Sequence, residues 1–364
     1  MDSVEPEEQK EFQITVSRHF ATWLAEQKVS LAFATPPSKL FLIGLRPNGE
    51  LSIFERTFNK TMGIAKVGTN TIYMGTRYQI WRLESRLEPG QLAEEEYDRL
   101  YIPRKVYTTG TVNVHDVGVD ADGRVLFINT RFGCIATVSE QYSFVPLWKP
   151  PFIAKLTPGD HCHLNGLAFR NGKPAYVTSV SRKDVLHGWR DDRRTGGVVT
   201  DVNANEIVLT GLSMPHSPRI YRDQLWLTDS GTGQFGRADL ERDRFEPVTF
   251  APGFLRGLDF LGDYAIVGSS KPRHGDAYSG LELDDTLARR KSSPHLGLFI
   301  VNLRTGNIDD WLFIEGPMRE LFDVVVLPGV RQPMALGFLT NEIAGSLWFD
   351  EKEWARKQQV QHDA

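Results

Sequence analysis

Cysteine is almost missing from this 364-residue chain, which carries only Cys134 and Cys162. Two thiols cannot build a disulfide scaffold, and without a C-x-x-C pair there is no structural zinc site of that type. Long apolar runs are missing as well. None approaches the ~18 residues that would cross a bilayer, so no membrane association is expected. Positive charge is not in excess: 42 Lys and Arg against 46 Asp and Glu leave a formal charge of −4. A broad phosphate-binding face is excluded on that balance, and with it nucleic acid as a partner. The first residues, MDSVEPEEQKEF, are acidic where a secretory signal would be basic and then apolar, so a cytoplasmic protein is expected. There is no G-x-S-x-G elbow, P-loop, strand-borne G-x-G-x-x-G or H-E-x-x-H. GTGQFG at 231–236 is a lone Gly-rich turn, and HCH at 161–163 is too short for a zinc motif. Cys162 reads as a small buried residue.

What the chain has instead is repetition. Length alone suggests two or three domains, but 32 glycines and 21 phenylalanines suit another plan. Six segments, at 62–75, 117–129, 165–179, 217–230, 256–270 and 322–340, share one pattern: an apolar strand, a tight turn, a second apolar strand. Asp122-Gly123 and Asn171-Gly172 are strong hairpin signals, because both central turn residues need positive φ. A spacing of roughly 40–60 residues is that of propeller blades. The expected fold is therefore all-β, a single six-bladed β-propeller over 31–345. A C-terminal hairpin at 322–340 lacking outer strands and an N-terminal hairpin at 39–58 lacking inner ones would share one blade and close the ring. Phe12, Val16, Phe20 and Trp23 at helical spacing predict a helix over 6–28, within an N-terminal extension of residues 1–30. Residues 87–106 read as a connection between the second and third blades with a short helix, and 346–364 as a polar tail.

Aligning the hairpins by their turns puts the starts of the inner strands at one mouth of the central channel. The polar residues gathered there are His115, Asp116, His163, Asn165, His216, Arg256, Arg319 and Glu320. His115 and His163 fall at the same register position and His216 at the next. Three imidazoles and one carboxylate (His115, His163, His216 and Glu320) suit a divalent ion such as iron, zinc or manganese. Calcium would want the oxygen donors Glu320, Asn165 and Asp116 instead. Asp116 or Glu320 would carry protons, and Arg256 or Arg319 would orient an anionic group. A metal-free pocket in which histidine is the acid or base stands beside this reading. Connections at 181–197 and 271–295, longer than compact domains usually allow, should surround the same mouth. Trp189, Lys271 and Arg273 on them, with Asn165, are the expected substrate contacts. The function expected is an enzyme acting on a small metabolite or peptide by hydrolysis, elimination or isomerisation, or oxidatively if the metal is iron. The other class is a non-catalytic module that holds a peptide or protein partner.

The strings VNVHDVGVDADG, HCHLNGLAFRNGKPAYVTSVS, LSMPHSPR, LWLTDSGTGQ and LRGLDF resemble a family of conserved, uncharacterised bacterial propeller proteins. The resemblance runs from about Leu31 to Glu342 and implies six blades without a settled activity. More distantly, the strand plan is similar to the gluconolactonase, strictosidine synthase and paraoxonase superfamily. That likeness implies work at the channel mouth. The lactonases there hold calcium with Glu, Asn and Asp, and the several histidines of this chain depart from that pattern.

Overall fold

A computed structural model describes residues 12–36, 38–272 and 278–362. Six sheets form the blades, five of them built on consecutive antiparallel strands that run from the channel outward. Blade one holds Ile64–Val67, Thr71–Gly75, Gln79–Glu84 and Arg99–Thr108; blade two holds Val114–Val119, Val125–Asn129, Cys134–Thr137 and Val145–Trp148. Blade three is Leu164–Arg170, Lys173–Ser179, Gly197–Asp201 and Glu206–Leu212; blade four is Pro215–Tyr221, Gln224–Asp229, Gln234–Asp239 and Arg244–Phe250. Blade five contains Phe254–Leu261, Tyr264–Ser270, Gly297–Asn302 and Ile308–Glu315. The ring is the expected six-bladed propeller. Among the described residues, no helix is long and apolar enough to cross a membrane.

Closure uses three strands plus one rather than two hairpins. Blade six takes only Asp323–Pro328 from the C-terminal segment, as its innermost strand, and adds Val29–Thr35, Lys39–Leu45 and Leu51–Thr57. Val29–Thr35 is buried at every position, as a strand covered on both faces must be. The second half of the expected sixth hairpin leaves the blade. Pro333–Ala335 runs parallel to Arg99–Tyr101 on the outside of blade one, an edge place that suits proline's missing N–H.

The N-terminal helix is shorter than expected. Gln13–Val16 is a strand on the outer edge of blade five, pairing Gln13 with Glu315 and Val16 with Leu312. Phe12, Ile14 and Val16 pack on the core because they alternate; a period of two produced the spacing that also fits a helix. Helix α1 covers only Phe20–Gln27, burying Phe20, Trp23 and Leu24 and ending at Lys28, which takes a left-handed φ of 53°. Residues 87–106 contain no helix and lie within blade one, joining its third and fourth strands. Glu351–His362 forms the C-terminal helix, α3.

Where the inner strands run side by side, side chains reach across to the neighbouring blade's backbone. Asp116 Oδ2 accepts from the Leu167 amide (2.9 Å), Ser217 Oγ from Gly257 (2.8 Å), Asp259 Oδ2 from Val326 (2.8 Å) and Asp323 Oδ2 from Ile64 (3.1 Å). Each acceptor satisfies a buried amide that would otherwise cost ~1–3 kcal/mol. Backbones approach closely there. A Cβ at Gly63 would lie 2.9 Å from Asp116 Cα, and one at Gly257 2.9 Å from Asp323 Cα.

Candidate functional site at the channel mouth

The channel has two differently furnished halves. Deeper in, Arg219 donates to both oxygens of Asp116 at 2.7 and 3.2 Å and lies 3.5 Å from Asp323 Oδ1. Lys66 donates to Asp259 at 2.5 Å. Asp116 therefore has both oxygens engaged by Arg219 and by the amides of Val117 and Leu167. It is a structural anion, not the proton carrier expected from the sequence.

At the mouth the three histidines do converge. The ring centroids of His115 and His163 are 4.8 Å apart, and His216 lies 6.5 Å from each. Their register differs from the expected one. Val114 pairs with Asn129, Leu164 with Ser179 and Pro215 with Asp229, so the equivalent positions are His115, Asn165 and His216. His163 stands two residues earlier, equivalent to Asn113 and Met214; all three take left-handed φ values of 53°, 51° and 48° in the order Asn113, His163, Met214. It comes from the entry turn, not the strand, and so reaches the other two from the side.

Hydrogen-bond accounting fixes the proton on two of these rings. His115 Nδ1 is 2.7 Å from Thr130 Oγ1 and 3.2 Å from the Asn113 carbonyl. Thr130 has one hydroxyl proton and gives it to the Leu164 carbonyl (2.7 Å), so towards His115 it accepts. The next blade but one repeats the arrangement: His216 Nδ1 meets the Met214 carbonyl at 2.9 Å and Ser230 Oγ at 3.2 Å, while Ser230 donates to the Leu255 carbonyl at 2.5 Å. Both histidines thus carry hydrogen on Nδ1 and a lone pair on Nε2. Burial, followed by the charges of nearby histidine and Arg256, pushes both pKa values well below the usual imidazole range, so both are neutral. His163 Nδ1 lies 3.0 and 2.9 Å from the two oxygens of Asp160, a carboxylate that the sequence reading missed.

Arg256 brings the mouth's cation. Its Nη2 is 3.4 Å from His216 Nε2 and 3.4 Å from the Tyr278 hydroxyl, and Nη1 is 4.0 Å from Glu320. The guanidinium lies over the Phe322 ring at 4.4 Å and nearer its rim faces Phe254 at 5.7 Å. These polar contacts are long for a fork that can offer five N–H donors. Glu320 lies at the mouth as expected.

The described parts of the two long connections form the roof. Trp189, from a short turn at Gly188–Asp191, lays its ring on His163 at 4.3 Å. It packs with Met214, Phe254, Leu283 and Leu287, the last two from helix α2, Glu282–Arg290. Lys271 borders the pocket, but its ammonium is engaged with Glu315 at 2.7 Å. Arg319 is exposed and offers its carbonyl to the Lys271 amide, so the mouth's orienting cation is Arg256 alone of the two. Arg273 lies outside the described residues. Cys162 is fully buried and its thiol is pushed up to about 12 by burial, which leaves it no nucleophilic part.

A divalent ion does not fit this arrangement. Three imidazoles sharing one ion at nitrogen distances of about 2.0–2.1 Å hold their centroids roughly 4.5–5.5 Å apart, short of the two 6.5 Å separations that involve His216. The Arg256 guanidinium also stands where His216 would offer its lone pair to the metal. Among the described residues, no three His, Cys, Asp or Glu side chains are grouped to hold a metal ion.

No curated protein matches the chain. Among solved structures, a chain of a nidogen/laminin complex aligns with 83% of this chain and 99% of its own at 10% identity and a TM-score of 0.50. A protein of unknown function from Bacteroides caccae aligns at 11% identity and TM-score 0.49, over 82% of this chain and 98% of its own. Virginiamycin B lyase from Staphylococcus aureus aligns at 11% identity and TM-score 0.37, over 84% and 99%. At 10% identity the likeness to the first of these is one of fold alone. A family model described as a domain of unknown function, DUF4915, matches residues 18–336, and the chain belongs to that family.

Proposed function

We propose that the mouth is the active site of a metal-independent acid–base enzyme acting on a small anionic molecule. One observation carries this: a buried guanidinium with only long polar contacts stands beside neutral histidines whose Nε2 lone pairs are free of protons. Such a set attracts an anion and can also take a proton from it. His163 is the base. Asp160 holds its Nδ1–H, fixes the ring's orientation and steadies the imidazolium that forms when Nε2 takes the proton. The same proton returns from Nε2 to the leaving group or to a neighbouring carbon, so elimination, isomerisation and hydrolysis all remain open to this geometry. Arg256 holds the anionic group, and the walls of Trp189, Phe254 and Phe322 keep water out and strengthen that attraction.

Metabolite extract incubated with chelator-treated protein tests the reading by mass spectrometry. The wild type should deplete a small anionic metabolite, and His163→Gln should slow that turnover by 100-fold or more. No depletion by the wild type would overturn the enzyme reading in favour of a binding module. Loss of turnover with chelator, restored by zinc, manganese or iron, would overturn the metal-independent one.

A further inference from the structure

The polar groups left without partners at the mouth specify a ligand more narrowly than "small anion". Three buried donors there lack a hydrogen-bond partner among the described residues: Asn165 Nδ2, Trp189 Nε1 and Arg256 Nε. The residues are 2%, 5% and 4% exposed, so bulk solvent does not reach these groups. An unpaired buried donor is costly and rare, and three around one mouth point to a partner that arrives from outside. Asn165 shares its register with His115 and His216 and so faces the channel with them. Its Oδ1 is held by the Thr178 hydroxyl at 2.7 Å, which turns the amide's other end outward as a donor. Trp189 is fixed against His163. Three N–H donors, one of them on a guanidinium, match the lone pairs of a carboxylate.

The histidines impose the opposite requirement. With hydrogen on Nδ1, His115 offers the channel only the lone pair of Nε2, which repels a carboxylate oxygen and calls for a donor, whereas that of His216 faces Arg256 Nη2 at 3.4 Å. The ligand must therefore carry an anion and a hydrogen-bond donor close together. That donor is not an ammonium, because it would sit beside the Arg256 guanidinium, which lies 3.4 Å from His216 Nε2 and repels a second cation. A hydroxyl remains.

We infer that the substrate is a hydroxy-carboxylate, its carboxylate on Arg256, Asn165 and Trp189 and its hydroxyl on a histidine Nε2. This rests on the acid–base reading for where the chemistry occurs, but binding tests it separately from turnover. Isothermal titration of the full chain with lactate, propionate, alanine and inorganic phosphate separates the chemical classes. Lactate should bind at least ten times more tightly than propionate or alanine, and phosphate should not compete. Arg256→Lys, which keeps the charge but loses the fork, and Asn165→Asp, which replaces the donor by an acceptor, should each weaken lactate at least tenfold. Their melting temperatures should stay near the wild type's, and His163→Gln should still bind. Equal binding of lactate and propionate would overturn the hydroxyl, and tighter binding of alanine would overturn the excluded ammonium. Binding of phosphate alone, or of none of the four, would overturn the carboxylate. Lactate binding unaffected by Arg256→Lys and Asn165→Asp would overturn the site. Lactate bound with this pattern, in a protein that turns over no metabolite, would instead refute the enzyme reading and leave the ligand class standing.

Discussion

Two arginines line one channel, Arg219 half-buried and Arg256 buried, and their surroundings differ. Arg219 is matched on its own plane by Asp116 at 2.7 and 3.2 Å and backed by Asp323 at 3.5 Å. Arg256 has one carboxylate at 4.0 Å, two contacts of 3.4 Å and an Nε with no partner. The first is a closed ion cluster that ties blades two, four and six together. The second is an open one. A buried cation whose donors are filled serves the fold, and one whose donors are left unfilled is available to a ligand. The histidines follow the same division: all three are in the open half, where their Nδ1 atoms are tied down, and the Nε2 atoms of His115 and His216 carry lone pairs, the latter facing Arg256.

Breaking the two halves in turn should give unequal losses. Arg219→Met leaves Asp116 as an unpaired buried anion, which is expected to cost ~3–5 kcal/mol of folding stability. Arg256→Met strands no comparably close partner and should cost well under half as much. Urea unfolding of the two variants measures the gap; equal losses would erase the distinction between a closed and an open arginine.

Acid and alkali should sharpen it with opposite signs. His115 and His216 have folded pKa values below the unfolded imidazole's, so on acidification the unfolded chain takes up protons first. Their contribution is present above about pH 6.5 and is lost as pH falls below it. Asp323, pushed up to about 7 by burial, runs the other way: the folded state keeps a proton that the unfolded chain has shed. Its contribution is present below about pH 4 and is lost as pH rises from there to about 7. Stability measured from pH 4 to 8 should flatten on the acid side in the His115→Gln, His216→Gln double variant, and fall less steeply on the neutral side in Asp323→Asn, the remaining fall belonging to Asp229, which burial also pushes up to about 7. A double variant with the wild-type acid slope would mean that these imidazoles are protonated in the fold.

Most of the ring was legible because turns and alternation are local. Asn171 and Gly172 take positive φ together, at 52° and 71°, as an Asn-Gly hairpin turn should, and five of the six hairpins are inner blade pairs. The closure was harder to read. Val29–Thr35 has no polar alternation to mark it as a strand, and nothing local tells Pro333–Ala335 to abandon its neighbour for blade one. In the site, the convergence of His115, His163 and His216 followed from the repeat, but register did not. Asn113, His163 and Met214 share a left-handed backbone that no residue type announces, and a shift of two residues moved His163 from strand to turn. Asp116 was misplaced for a related reason, since only the ring's curvature brings Arg219 to it from blade four. Thr130 and Ser230 could have been found: they follow the second strands in VLFINT and LWLTDS, at the same place in two similar repeats. Asp160 lies three residues before His163 and gives a weaker hint of the same kind.

What the mouth offers to a ligand is read directly by nitrogen-15 NMR of the histidine side chains. At pH 6 the signals of His115 and His216, assigned through single His→Gln variants, should show neutral rings with hydrogen on Nδ1 and an unprotonated Nε2. Imidazolium signals, or hydrogen on Nε2 in either ring, would contradict this proton arrangement.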